Sequence, residues 1–318
     1  MPIINYDQKF LPELTKIYNE FKIKDSDFRP LSIDEFKAKF IDLPYKGKIV
    51  RKIYIDEDER IKGFIVADYD KSVEEKFGKK IAIIDILVAE PKNFSLIASE
   101  LIKYAKKDFE KYNVKEIQAH FIDEKNSEEY NFFKKDFDSE RKWFYMECKV
   151  FRFPKDLIEL SEGLRWEKLI FKGKKSNVNK WIECYNEAFR EHFGMRPLSY
   201  KELMSYTLEK SFDAEAYFGI FDEKSKAFIA ECSCEIDEEL NKFKNISRCV
   251  IWTVGVRKAY RGKGFGKKLV YKALDYMLKR NIETAAIHVD EKNEIAYNLY
   301  RSIGFETKRY RSFFIKEI

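Results

Sequence analysis

The chain has 318 residues, with 61 Lys and Arg against 55 Asp and Glu, a formal net charge of +6 and 45% hydrophobic residues. That length suits two domains of about 150 residues, each able to bury a core. The composition excludes a membrane span, because no apolar run approaches the roughly 20 residues that crossing a bilayer takes, and so modest a net charge does not call for a nucleic-acid partner.

The first seven residues, Met1 to Asp7, lack the basic start and apolar stretch of a secretion signal. The five cysteines are odd in number and contain no C-x-x-C pair, so a reducing, cytoplasmic setting without metal is expected. Cys232 and Cys234 are two residues apart and share one strand face, which reads as core packing.

In chain order, residues 80–88 are dense in Ile and Val and predict a strand. A helix is expected over 94–111 and a strand over 116–122. Residues 153–163, opening with Phe153-Pro154-Lys155-Asp156, read as a linker. Beyond it come a strand at 166–172, an amphipathic helix at 177–192 and strands at 214–221 and 227–234. A turn-rich segment, 235–245, leads to a central strand at 247–256. A helix over 265–280, a strand over 282–289, a last helix after Asn293 and a strand over 308–315 finish the chain.

The order repeats because the sequence does. Tyr18-Asn19-Glu20 recurs as Tyr185-Asn186-Glu187, Arg29-Pro30-Leu31-Ser32 as Arg196-Pro197-Leu198-Ser199, and Asp123-Glu124-Lys125-Asn126 as Asp290-Glu291-Lys292-Asn293. Each pair is separated by 167 positions, as in 185 − 18. Two copies of one unit follow: a domain at 1–152, the linker 153–163, and a domain at 164–318.

The copies differ most over Val254-Gly255-Val256-Arg257-Lys258-Ala259-Tyr260-Arg261-Gly262-Lys263-Gly264-Phe265-Gly266. Here a strand, a glycine-rich basic turn and a helix start follow one another, so backbone N–H groups converge as they do around a phosphate. Lys267 and Lys268 occupy the first helical turn, where cations oppose the helix dipole unless an anion binds. The spacing fits neither a P-loop nor a dinucleotide fingerprint, since Lys267 stands where each needs its last glycine. It does fit [QR]-x-x-G-x-[GA], read as Arg261-x-x-Gly264-x-Gly266.

With Val254-x-Val256 before it and Asn293 to Phe305 after it, this stretch resembles the acyl-CoA loop and last helix of the GNAT acetyltransferase superfamily. The resemblance is strong over about the last 75 residues. It implies an α/β (α+β) chain of two tandem GNAT-like domains, each a mixed, mostly antiparallel central sheet flanked by helices. It implies an acetyl-CoA-dependent N-acetyltransferase working through the C-terminal copy, with an unidentified amine acceptor (small molecule or peptide) and a monomer or homodimer. The tandem layout is similar to mycothiol synthases.

The expected acetyl-CoA contacts are Val254, Val256, Arg261, Gly262, Lys263, Gly264, Phe265, Gly266 and Lys267. Asn293 reads equally well as a pantetheine ligand and as a helix N-cap. Tyr300 is the expected acid for the departing thiolate. The base is less constrained: family members often carry a carboxylate on the strand before the loop, where this chain has Trp252 and Thr253. Glu231 is preferred, with Glu191 and His192 as alternatives. In the first copy the loop becomes Asn93-Phe94-Ser95-Leu96-Ile97-Ala98 and Tyr300 becomes Phe133, so that copy reads as degenerate. Without a carboxylate before the loop, an acyl-CoA-binding sensor or interaction protein is the alternative function.

Overall fold

A computed structural model describes residues 3–42, 48–69, 73–75, 78–123, 127–193 and 195–318. The sequence readings at Met1, Pro2, Glu124, Lys125 and Asn126 lie outside the described residues. The chain forms two compact units, Met1–Lys142 with Tyr310–Ile318, and Trp143–Arg309.

The first unit carries helices α1 (Leu11–Phe21), α2 (Ile33–Phe40), α3 (Phe94–Glu110) and α4 (Ser127–Asp136). Its strands β1 (Ile3–Asn5), β2 (Lys48–Ile55), β3 (Ile61–Tyr69), β4 (Ile81–Ala89) and β5 (Glu116–Asp123) pair in sequence. The sixth strand comes from far along the chain: the end of β12 (Glu306–Glu317) runs antiparallel beside β5, with Arg311 opposite Asp123. Among its described residues only β4 and β5 run parallel, from Ile81↔Glu116 to Ile84↔Ala119.

The second unit repeats this plan. Helices α5 (Val178–Ala188), α6 (Tyr200–Tyr206), α7 (Glu238–Lys244), α8 (Phe265–Leu278) and α9 (Glu294–Ile303) accompany strands β7 (Leu164–Lys168), β8 (Tyr217–Asp222), β9 (Ala227–Glu235), β10 (Arg248–Val256) and β11 (Thr284–Asp290). Its outer strand is β6 (Ser139–Lys149), whose residues 143–149 pair antiparallel with β11. Among its described residues only β10 and β11 run parallel. Both sheets are thus mixed and mostly antiparallel.

The packing divides the chain differently from the repeat. Division at 152 follows sequence identity, whereas each unit completes its sheet with the last strand of the other repeat, so residues 143–152 pack with the second unit and 310–318 with the first. Part of the expected linker, 155–158, is a short 3-10 helix.

The recurring identities build one recurring joint. Asn19 accepts from the Leu31 amide (2.9 Å) and donates to the Leu31 carbonyl (2.9 Å). Asn186 does the same with Leu198, at 2.8 and 3.1 Å. Arg29 pairs with Glu35 (3.0 Å) and Arg196 with Glu202 (3.3 Å). Arg196 is therefore a strut that fixes the entry to α6, not a ligand-facing cation. Ser32 and Glu35 form a reciprocal capping box on α2, and Ser199 accepts from the Glu202 amide on α6. These S-x-x-E spacings mark two helices that strand and helix periodicity passes over.

The turn-rich reading of 235–245 is corrected. Asp237 caps α7 through the Leu240 amide, and Asn245 ends it at φ 52°. Polar residues at both ends masked a two-turn helix whose only buried residue is Leu240.

One face of the second sheet packs α8 and α9 over an apolar core that includes Cys232, Cys234, Ile251, Leu269 and Val289. On the other face a second cluster, including Trp181 and Cys184 of α5 and Leu203 of α6, sits with Phe221 and Phe228. Among the described residues no helix is long and apolar enough to cross a membrane.

Candidate functional site

The loop after β10 is set by backbone conformation. Lys258–Tyr260 form one 3-10 turn. Gly262 and Gly264 then adopt φ 77° and 79°, a region that L side chains enter only at a cost. Space alone does not demand glycine at either position, since a Cβ would meet nothing within 4 Å. Gly266 has a different role: a Cβ there would lie 3.2 Å from Leu299 Cδ2, so it lets α8 approach α9.

Gly264 is the N-cap of α8 and offers no side chain to cap it. Helical geometry leaves the amides of Phe265, Gly266 and Lys267 without intrahelical acceptors. No acid occupies the first turn. The helix therefore presents converging N–H groups and an unopposed positive dipole end.

The loop cations are distributed unevenly. Lys263 Nζ lies 5.2 Å from the Tyr260 ring centroid and Lys267 Nζ 6.0 Å from that of Tyr271. Lys268 is engaged with the Glu159 carbonyl at 2.6 Å. Arg261 turns inward: Nη2 donates to the Ala188 carbonyl (2.8 Å) and Nε to the Val256 carbonyl (3.2 Å). In this conformation Arg261 ties the loop to the ends of α5 and β10.

Next to the loop the sheet opens. Pairing between β10 and β11 runs from Arg248↔Thr284 to Ile251↔Ile287 and stops, although both strands continue. The Arg257 amide bonds the Ile229 carbonyl, which places 257, and by alternation 255 and 253, on the hydrogen-bonded side toward β9. Val254 and Val256 consequently turn their N–H and C=O toward the opened edge. Their side chains pack against the α8–α9 core.

Tyr300 projects from α9 into that core and is nearly buried. Burial raises its phenol pKa, with Cys232 and Glu231 adding to the effect. No hydrogen bond engages its hydroxyl among the described residues. Asn293 Oδ1 accepts from the Ala296 amide at 3.2 Å, the capping role among its two expected ones.

Glu231 lies across the sheet from that core, on the α5 side, and is 0% exposed. Its Oε2 accepts from Thr253 Oγ1 at 2.8 Å, and Thr253 Oγ1 lies 2.8 Å from Ser233 Oγ. Burial pushes the Glu231 carboxyl up to about 8, against the opposing Thr253 hydrogen bond. Gly255 makes room for it, since a Cβ there would fall 2.3 Å from Oε1. Of the alternative bases, Glu191 is exposed and paired with Lys258 at 3.0 Å. His192 Nδ1 contacts the Phe193 carbonyl at 2.8 Å, and its ring packs edge-on to Trp143.

Sequence reasoning missed the partners of Glu231. It passed over Ser233 and weighed Thr253 only for the carboxylate it lacks. It also missed the fixed aromatic beside them. A register shift between Ile251 and Thr253 inserts Trp252 as a bulge residue. Trp252 is 51% exposed, donates from Nε1 to Glu235 Oε2 (2.6 Å) and stacks on His288 at 5.9 Å and 18°.

Comparison with known proteins places this geometry. Residues 178–305 match the family described as Acetyltransferase (GNAT). The chain is 27% identical over 130 residues to the mycothiol acetyltransferase of Thermobifida fusca, a match covering 40% of each protein. It is 27% identical over 124 residues to the spermidine N(1)-acetyltransferase of Escherichia coli, covering 36% of this chain and 67% of that protein. Among solved structures, a tandem GNAT protein from the clavulanic acid biosynthesis pathway superposes over 99% of this chain and 98% of its own, with a TM-score of 0.70 at 13% identity. A GCN5-related N-acetyltransferase from Sphaerobacter thermophilus covers 99% and 95%, with a TM-score of 0.66 at 16% identity. The matches to the mycothiol acetyltransferases span less than half of this chain and less than half of each relative, whereas the fold agrees over the chain's length. Residues 178–305 thus match the GNAT family model, and over its whole length the chain shares the fold of a tandem GNAT protein.

Proposed function

We propose that the second unit transfers an acetyl group from acetyl-CoA to an amine, and that the first unit does not use acetyl-CoA. The observation that carries this reading is the pairing of an uncapped α8 N-terminus, behind glycines at φ 77° and 79°, with an opened β10 edge. The first supplies donors for phosphates, with Lys263 and Lys267 alongside. The second supplies the N–H and C=O of Val254 and the N–H of Val256 for an extended amide-bearing arm, the Val256 carbonyl being held by Arg261. The first unit has neither the glycines nor Tyr300.

Acetyl-CoA brings an activated thioester to such a site. The chain's residues then have three tasks. A base must strip the attacking ammonium, because an amine with a pKa near ~10 is protonated at neutral pH. N–H groups at the β10 edge polarise the carbonyl. Tyr300, held protonated by its burial, donates to the thiolate as the C–S bond breaks. Glu231 is the proposed base, its raised pKa suiting it to bind a proton near neutral pH.

The acceptor is an amine whose body packs beside Trp252. Names of relatives include acetyltransferases of mycothiol and spermidine, and polyamine and amino-sugar amines are the first classes to try. The complete burial of Glu231 favours the alternative of an acyl-CoA sensor to the extent that no carboxylate meets the acceptor directly. Calorimetric titration of acetyl-CoA into the wild type and Gly264→Glu tests the reading. One site per chain, lost in the variant, is expected. Two sites would return the first unit to function, and no binding would end the acetyltransferase reading.

A further inference from the structure

A base that is wholly buried needs a route to its substrate. We propose that Ser233, Thr253 and Glu231 form a proton relay, which carries the proton from the acceptor amine to a carboxylate that the acceptor never touches. This rests on the acetyl-transfer reading above.

Hydrogen-bond direction supports a relay. A carboxylate in its ionised, base-competent form only accepts, so in that form Thr253 Oγ1 donates to Glu231 Oε2 across 2.8 Å. Thr253 has one hydroxyl proton and has spent it there. In the 2.8 Å contact with Ser233, Thr253 therefore accepts and Ser233 donates. Ser233 Oγ keeps lone pairs for the next donor, and every proton in the chain already points toward Glu231. Transfer moves one proton per link: the ammonium to Ser233, Ser233 to Thr253, Thr253 to Glu231. The nitrogen lone pair so released forms the C–N bond. The neutral acid returns its proton to water by the same route once product leaves.

The first unit supplies an internal control. Strand pairing matches Glu231↔Gly255 with Phe64↔Val88, and Ser233↔Thr253 with Val66↔Ile86, each residue displaced by 167. The bulge is shared, with Asp85 skipped where Trp252 is. At all four positions the first unit carries a buried apolar side chain. The fold accepts four apolar side chains here, and a set with Glu231 costs stability because a carboxylate must be desolvated. The second unit, which carries the anion-binding loop, has three polar side chains there and a glycine, Gly255, that makes room for the carboxyl. A change at four paired positions in that unit alone points to function.

Other titratable groups bear on Glu231. Cys184 and Tyr185 of α5 sense its charge, as do Cys232 and Cys234 of β9 and Tyr300 of α9. Burial raises the pKa of all five, so they stay neutral where Glu231 titrates. Arg257, which also acts on Cys184, is paired with Glu187 at 2.8 Å.

The test uses the full chain with Thr253→Val, Ser233→Ala, Thr253→Ser and Glu231→Gln. Infrared titration of the carboxyl stretch, wild type minus Glu231→Gln, isolates Glu231 and needs no acceptor. Thiol release from acetyl-CoA, with spermidine as probe amine and water as the background acceptor, gives kcat and its pH profile. Thr253→Val should raise the ionisation of Glu231 by about one pH unit. Thr253→Val and Ser233→Ala should each lower kcat about ten-fold or more with an unchanged KM for acetyl-CoA, and Thr253→Ser should restore both readouts. An unmoved Glu231 titration in Thr253→Val, or a wild-type kcat and pH profile in Ser233→Ala, overturns the relay. Failure of wild type to bind acetyl-CoA by calorimetry overturns the acetyl-transfer reading separately, since the infrared arm proceeds without it.

Discussion

Glu231→Gln tests the burial of this carboxyl through stability. An unburied glutamate titrates near 4.5, and Glu231 is pushed up to about 8 by desolvation. Between these values the folded protein holds a proton that the unfolded chain has released. Stability then falls as pH rises, at about 1.4 kcal/mol per pH unit. The full contribution is present below 4.5, declines across the window and is gone above 8. The accumulated loss is about 5 kcal/mol, a large share of an ordinary domain's stability. The substituted glutamine stays neutral throughout and removes the dependence. Urea denaturation of both proteins at pH 5, 6, 7, 8 and 9, followed by tryptophan fluorescence, measures the difference. The variant should gain on the wild type with each step to pH 8 and then hold its lead. A difference that is flat from pH 5 to 8 would show that Glu231 ionises normally and would remove the physical basis for its role as a base.

Tyr300→Phe creates the side chain that the first unit already has at Phe133. Its melting temperature should stay near the wild type and its acetyl-CoA affinity should be unchanged, while kcat for thiol release drops about 100-fold. Asn186→Ala removes both bonds to Leu198 and should cost about 1–3 kcal/mol in denaturant unfolding. Asn19→Ala should cost a similar amount, because the same joint is lost.

The loop was legible because its chemistry needs glycine at set spacings, and Gly262, Gly264 and Gly266 each answer a local demand of conformation or close approach. The splay of β10 from β11 was readable only through resemblance. Nothing in the residues 252–256 says that their parallel partner has left. Glu231 stood out as an acid inside an apolar strand, yet its partners lie 2 and 22 positions away and meet it only through the register of β9 on β10. Trp252 was misleading for the same reason: a bulge turns it and Thr253 to one face, and strict alternation cannot show that. The exchange of β6 and β12 was invisible, since either strand suits either sheet by pattern, and only tertiary pairing chooses.

That exchange bears on how the protein comes to exist. The sheet of the first unit gains its final strand from residues that the ribosome delivers about 170 positions after the rest of that repeat. Until then β5 lacks the partner it has in the folded chain, and an unpaired edge is a template for pairing with other chains. The second unit draws its outer strand from residues 143–149, which are made before its other strands and are already in hand when β11 appears. Cutting the chain at the repeat boundary near 152 would leave each fragment carrying the wrong edge strand. Each half holds part of the other's sheet, so the two copies are synthesised one after the other but can only be finished together.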